Sequence, residues 1–381
     1  MELKPGYKQT EIGVIPEDWE VEYLPKICQF KAGKAHEQYI TLMGDYICVN
    51  SKFISSDGKI QKRCYRNDCQ ARKGDILMVM SDLPNGKALA KAFVVKEDGL
   101  YAVNQRVCAL RPYHSNSEYL FYVLNRSPYF LKHDDGVNQT HLLNPVFLKC
   151  QLPLPSLREQ RAIADSLCGI DSLITSLEKL IEKKKLIKQG VMQELLTGKR
   201  RLPGFRREWE TKRLGDVADL YQPETISSDK LTQYGYTVWG ANGIIGCFDQ
   251  YNHEDWQVIV TCRGSTCGKV NRTDSKCWIT GNSMVINVDD STLIDKMFLY
   301  YYLHSVDLSS LVSGSGQPQI VRKPLQNVLV SFPSLSEQSA ISEALSEFDN
   351  EVASLKKQLR KMCLFKQAMM QELLTGRIRL V

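Results

Sequence analysis

The chain of 381 residues is poor in the features that mark an enzyme, a metal protein or a membrane protein. Its 12 cysteines include no pair in C-x-x-C spacing, the nearest sets being Cys64/Cys69 and Cys262/Cys267/Cys277. Structural zinc wants tighter pairs with cysteine or histidine partners, and the 6 histidines show no metal spacing. Free, mostly buried thiols and no metal are expected. No apolar run approaches the roughly 18 residues that span a bilayer. The start, Met1-Glu2-Leu3-Lys4-Pro5, is polar and lacks the apolar stretch of a secretion signal. A cytoplasmic protein with no membrane partner is expected. A G-x-x-x-x-G-K-S/T loop is absent, which argues against a nucleotide-driven motor. Ser265, within Arg263-Gly264-Ser265-Thr266-Cys267-Gly268, does not complete G-x-S-x-G. The net charge of +6 permits an anionic partner without requiring one.

What the chain has in abundance is a repeat. Residues 155–203 align with 333–381 without a gap, at a constant offset, and about half of the aligned pairs are identical. Pro155-Ser156-Leu157 returns as Pro333-Ser334-Leu335, Glu159-Gln160 as Glu337-Gln338, and QELLTG at 193–198 as the same string at 371–376. Ser156 with Glu159, and Ser334 with Glu337, fit the S-x-x-E capping box that opens a helix. Thr197-Gly198 and Thr375-Gly376 supply the glycine that closes one. About 40 residues lie between these signals, a helix of about 60 Å at 1.5 Å per residue.

The apolar period within the repeat is 3.5. Ile341, Leu345, Phe348, Val352, Leu355 and Leu359 follow 4-3-4-3 spacing, and Ile163, Leu167, Ile170, Ile174, Leu177 and Ile181 stand at the matching places. That stripe is the coiled-coil signature. Each half holds one stripe, so the two helices are expected to pair with each other, antiparallel, giving internal pseudo-twofold symmetry. The alternative is that each helix packs on its own domain. The run Lys183-Lys184-Lys185 reads as a solvated face.

Residues 16–152 and 206–330 have a different texture. Short β-rich runs such as Asp75-Ile76-Leu77-Met78-Val79-Met80 and Gln257-Val258-Ile259-Val260-Thr261 alternate with turn signals. Each region has one helical stretch near its end, at Glu118–Asn125 and Asp295–His304. Each opens alike, around Trp19 and Trp209, yet the middles do not match in sequence. The fold class expected is α/β (α+β): two β-rich globular domains joined by two long antiparallel helices. Its boundaries are 1–152 for the first domain, 153–198 for the first helix, 199–330 for a linker and the second domain, and 331–381 for the second helix. Lys199, Arg200, Arg201, Arg206, Arg207, Lys212 and Arg213 surround Pro203-Gly204 as a basic linker, either solvated or contacting phosphate.

The P-S-L-x-E-Q entry, the long helix, the QELLTG exit and the G-F-x-x-E-W-E start of the next unit resemble the specificity subunit of Type I restriction–modification enzymes. The middle regions are similar to that family's target recognition domains. Gly33-Lys34-Ala35-His36-Glu37, Val49-Asn50-Ser51-Lys52-Phe53-Ile54 and Asp57-Gly58 fit one type. Trp239-Gly240-Ala241-Asn242-Gly243-Ile244-Ile245-Gly246, Arg263–Val270 and Gly314-Ser315-Gly316-Gln317-Pro318-Gln319-Ile320 fit another. The first domain has Asn138-Gln139-Thr140-His141 where the second has the glycine–glutamine run.

The resemblance implies a non-catalytic subunit that reads double-stranded DNA. Each domain would take one half of a bipartite, asymmetric site, with the helices setting the spacer and docking two modification (methyltransferase) subunits. S-adenosylmethionine, ATP and Mg chemistry would belong to the modification and restriction partners, and the chain itself would hold no cofactor. No Asn/Asp-Pro-Pro-Tyr/Phe motif of an adenine methyltransferase is present. The alternatives are a nuclease or other DNA enzyme with an unrecognised active site, or a coiled-coil protein adaptor.

Asn and Gln pair bidentately with adenine, Arg and Lys with guanine. On that chemistry the candidate DNA contacts of the first domain are Lys34, His36, Asn50, Ser51, Lys52, Lys87, Asn104, Gln105 and Arg106. Those of the second are Asn242, Arg263, Ser265, Lys269, Asn282, Ser283, Gln317 and Gln319. For each, a structural role as turn, cap or buried hydrogen bond competes with DNA contact. Trp239 and Trp278 read as core.

Overall fold

A computed structural model describes residues 5–83, 86–314 and 316–380. The polar start at residues 1–4 and Ser315 of the glycine–glutamine run lie outside the described residues. The chain divides into two compact units, Met1–Leu177 with Gln358–Val381, and Glu178–Lys357. Each unit holds one β-rich domain, the beginning of one long helix and the end of the other.

In the first unit, four antiparallel strands stand in the order Ala92–Val94, Ile76–Val79, Val107–Pro112, Cys28–Ala32. Ile76–Val79 is buried at every residue, as an unbroken apolar run demands of a central strand. A second sheet pairs Tyr101–Val103 in parallel with Tyr46–Val49. The second unit repeats this plan. Its order is Val270–Arg272, Val258–Thr261, Ser283–Asn287, Asp219–Tyr221, again antiparallel, and Tyr236–Gly240 pairs in parallel with Trp278–Ile279. Middles that do not match in sequence therefore share a strand order. The helices near each domain's end are Ser117–Leu124 and Lys296–Ser305, capped by Asn116 and Asp295. Each domain closes by pairing the strand that follows its opening tryptophan with its last strand: Glu20–Tyr23 with Gln151–Leu154, and Glu210–Arg213 with Leu329–Phe332.

The last strand of each domain feeds directly into a 39-residue helix, Leu157–Leu195 or Leu335–Leu373. Within each unit the two helix segments run antiparallel. Lys366 reaches Asp171 at 2.6 Å in the first unit, while Lys188 reaches Asp349 at 2.5 Å and Lys184 reaches Glu351 at 2.6 Å in the second. Lys184 is thus paired, whereas Lys183 and Lys185 are exposed. The apolar stripe serves two purposes. Ile163 and Leu167 sink into the first domain's core with Tyr119 and Leu120, and Leu373 of the other helix joins them. Ile341 and Leu345 do the same in the second domain beside Met192, Leu195 and Leu196. Further along, Ile181 and Val352 are buried, and Ile170, Ile174, Leu177, Phe348, Leu355 and Leu359 are half-buried. Each helix start therefore anchors on its own domain as well as running beside its partner. Cutting Leu345 back to alanine would cost about 2–5 kcal/mol.

The caps differ from the sequence expectation. Glu159 N donates to Ser156 Oγ at 3.3 Å, but the Glu159 carboxylate does not return to the cap. It accepts from Trp19 Nε1 at 3.0 Å and from the Arg379 guanidinium at 2.5 and 2.8 Å. Glu337 likewise accepts two bonds from Arg201, both at 2.6 Å. Arg201 is therefore a structural clamp rather than part of a free basic linker. The helix ends behave as read: Gly198 and Gly376 adopt φ of 70° and 69°. At Gly376 a Cβ would meet Pro16 Cγ at 2.4 Å, so only glycine fits.

Candidate nucleic-acid interface

The polar candidates gather on turns at one edge of each main sheet. In the first domain Val107 N donates to Asn104 O at 2.9 Å, closing a turn that presents Gln105 and Arg106 to solvent. The neighbouring loop approaches this turn so closely that a Cβ on Gly33 would lie 2.1 Å from Asn104 O. Lys34, next to it, is exposed.

Two candidates on these loops are turned inward, which corrects their expected role. His36 is fully buried and Asn104 is 3% exposed. Asp68 N donates to His36 Nε2 at 3.0 Å, so Nδ1 carries the proton and donates to Lys34 O at 2.7 Å. Asn104 Oδ1 accepts from His36 N, and its Nδ2 donates to Glu37 Oε1 at 2.7 Å. Burial opposes ionisation of Glu37, but the bond from Asn104 and the neighbouring backbone donors hold its carboxyl below the usual range. With their polar atoms engaged, His36 and Asn104 fix the loop instead of facing a groove. Asn50 is the cap of the short helix Ser51–Ser55, accepting from Phe53 N at 2.9 Å. Ser51 Oγ is buried without a partner among the described residues. Lys52 and Lys87 are exposed.

In the second domain the turn after Val258–Thr261 exposes Arg263, Ser265 and Lys269. Beside it a hairpin, held by reciprocal 2.8 Å bonds between Ser313 and Gln319, exposes Gln317 and Gln319. Backbone pairing of Arg263 with Gln319 joins the two turns. Asn242 is exposed, its side-chain oxygen accepting from Thr266 Oγ1 at 2.7 Å. Asn282 is half-buried. Ser283 is a further correction: it is fully buried and donates to Gly240 O at 3.4 Å. Trp239 packs in a small core with Ile259 and Ile279, and Trp278 meets Phe248 edge-on at 5.2 Å.

The exposed set thus contains long cations and amides, the groups suited to phosphate and base edges. All twelve cysteines are free and eight are buried. Burial pushes the Cys28, Cys48 and Cys150 thiols up to about 12, far from thiolate chemistry. Among the described residues no group of three His, Cys, Asp or Glu could hold a metal, and no helix is long and apolar enough to cross a membrane.

Sequence reasoning passed over His141. This residue is exposed on a short strand, Thr140–His141, whose backbone pairs with Ser81–Asp82. The signal available was its alignment with the glycine–glutamine run of the second domain.

The family description "Type I restriction modification DNA specificity domain" matches residues 16–189 and again 206–362. Among relatives, the Type I restriction enzyme MjaVIII specificity subunit of Methanocaldococcus jannaschii is 25% identical over 96% of this chain and 94% of its own. The putative MjaX specificity subunit of the same organism is 26% identical over 98% and 97%. In fold, the chain is similar to the crystal structure of the Type I restriction–modification S subunit from M. genitalium. There the TM-score is 0.65 at 15% identity, covering 98% of both chains.

Proposed function

The chain belongs to the family of Type I restriction–modification DNA specificity proteins, and from that premise we propose how its two domains divide the work. It is the sequence-reading component, and catalysis lies in partner subunits. Each domain reads one half of a bipartite target. The two long helices set the length of unread DNA between the halves. The observation that carries this reading is the contrast between the domains. They share one strand order, yet their exposed turns carry different side chains, with Gln105 and Arg106 on one and Arg263, Lys269 and Gln319 on the other. A shared scaffold with unlike contacts suits an asymmetric site.

The helices also suit docking of two modification subunits, which would bring S-adenosylmethionine, while restriction subunits would bring ATP and Mg. Leu186-Ile187 and Leu364-Phe365 occupy equivalent places in the repeat, and all four side chains are exposed. Exposed apolar neighbours of this kind are the usual material of an interface core. The same surface offered twice supports two identical partners in a cytoplasmic complex. Replacing Leu186 and Ile187 together with aspartate should leave one modification subunit bound in place of two, measured by native mass spectrometry. Retention of both would refute the docking assignment.

The division of reading is tested by exchange. Residues 16–152 are replaced by the matching segment of a relative, and methylated sites are sequenced in a host carrying the complex. One half-site should change, with the other half and the spacer retained. A change in both halves would overturn the division.

A further inference from the structure

The backbone aligns the two reading edges residue by residue. In the first domain Met80 N donates to Arg106 O at 2.9 Å, and Leu142 N donates to Met80 O at 2.7 Å. In the second, Cys262 N donates to Asn282 O at 2.9 Å, and Ile320 N donates to Cys262 O at 3.0 Å. The turns before them match too: Val107 N reaches Asn104 O, and Ser283 N reaches Thr280 O at 3.0 Å. These bonds make Arg106 the equivalent of Asn282 and His141 the equivalent of Gln319. Ser81, paired with His141, is the equivalent of Arg263, paired with Gln319.

We propose that Arg106 and His141 are specificity-determining residues of the first domain, standing at the positions from which Asn282 and Gln319, with Arg263, read bases in the second. The proposal rests on the division of reading above and goes further, because it adds His141 and matches the side chains of the two domains position by position.

Both first-domain residues are exposed, and both border a cavity of about 660 Å³ that Gln105 and Asn144 also line. An arginine on such an edge selects guanine by two parallel donors. An imidazole offers one donor or one acceptor, so it would discriminate differently from the two-point grip that a glutamine at Gln319 can offer adenine. The cation has changed place between the domains. Ser81 is 4% exposed and accepts from Gln139 Nε2 at 3.1 Å, so the strand end that carries Arg263 in the second domain carries no reader in the first. The charge sits instead on the neighbouring turn, at Arg106. Placing the cation on the adjoining turn in one domain and on the strand end in the other would give two half-sites of different sequence from one backbone.

The test uses the assembled complex in its host, with methylated sites sequenced. His141→Ala and Arg106→Ala should each relax the first half-site at one base position, by about ten- to hundredfold. The second half-site and the spacer should stay as they were. A wild-type motif from both variants overturns the proposal and leaves the division of reading standing. Changes in both half-sites would instead strike at that division. If a first-domain variant abolishes methylation, the reciprocal variants Gln319→His and Asn282→Arg decide: altered preference confined to the second half-site supports the equivalence, and an unaltered motif overturns it. A residue that merely holds the fold would not change which base is preferred.

Discussion

At the strand end facing the hairpin, the first domain places the buried Ser81 and the second places the exposed Arg263. Beneath that point the main-sheet strand order, the parallel pair of the side sheet and the backbone bonds that seat the turn are alike. The difference teaches which parts of a domain are free to vary. Apolar runs in the central strands, such as Ile76–Val79 and Val258–Val260, are buried on every residue, so their alternatives are limited to other apolar side chains. At the strand end the same backbone pairing seats serine in one domain and arginine in the other, with the bonds beneath it kept. Specificity can diverge there at little cost in stability.

The largest effect that would sharpen the comparison lies in the clamps. Glu159 and Glu337 are each 1% exposed, and each takes two bonds from an arginine that follows the end of the other helix. Breaking a buried pair by removing one partner costs about 3–5 kcal/mol, because it strands a charge. The domains differ in what remains. Glu159 keeps the Trp19 bond, while Trp209 Nε1, the counterpart, is buried with no partner among the described residues. Arg379 also bonds Asp18 at 2.7 and 2.9 Å, but Asp18 is exposed and a surface pair of that kind is worth little, so Arg201→Ala should destabilise the second unit more than Arg379→Ala destabilises the first. Hydrogen exchange resolved by domain, along a urea series, measures both. A larger loss from Arg379→Ala would break the argument.

This clamp shows how much the sequence made legible. The repeat announced the helices, because caps, heptad spacing and closing glycines are local signals. It also aligned Glu159 with Glu337 and Arg201 with Arg379. What it could not announce was that each arginine bonds the glutamate that opens the other helix, since that contact is set by tertiary folding. The glutamates read instead as capping boxes. The domain interiors were harder still. Their strands are two to six residues long, and Thr140–His141 pairs with Ser81–Asp82 across a wide gap in sequence. Composition could not separate readers from supports either. His36 and Asn104 have the polarity of base contacts, and only their burial shows that they serve the loop. His141 was passed over because its neighbours depart from the glycine–glutamine pattern, although its backbone place is the same.

A middle-sized effect tests whether the helix networks are equivalent. Tyr122 donates to Asp171 and Tyr301 to Asp349, both at 2.7 Å, and in each case a lysine completes the group. A hydrogen bond to a charged acceptor is worth about 1.5–3 kcal/mol. Tyr122→Phe and Tyr301→Phe should each cost about that much. Tyr301→Phe should cost slightly more, since Tyr301 also bonds Ser346 Oγ at 3.1 Å where Tyr122 has the weaker acceptor Cys168 Sγ at 3.5 Å. A variant whose urea midpoint matches wild type would show that its tyrosine bond contributes nothing net.

The smallest effect appears only on acidification, and it belongs to the second domain. His253 is 9% exposed, stacks on Tyr221, and shares a 2.9 Å bond between Nε2 and the Tyr221 hydroxyl. Burial lowers its pKa below the ordinary histidine value, and nearby Asp289 only partly offsets this. The folded domain thus prefers the neutral ring, while the unfolded chain takes up a proton at the ordinary value of about 6.5. As pH falls below about 6.5 the unfolded state binds more protons, so stability declines until the folded pKa is also passed. Between pH 7 and pH 5 the second domain should lose protection in hydrogen exchange, and His253→Gln should flatten that slope whatever it does to stability at pH 7. An undiminished slope in the variant would assign the acid sensitivity to other groups. The first domain is the internal control, because His253 lies outside its unit and the substitution should leave its pH profile unmoved.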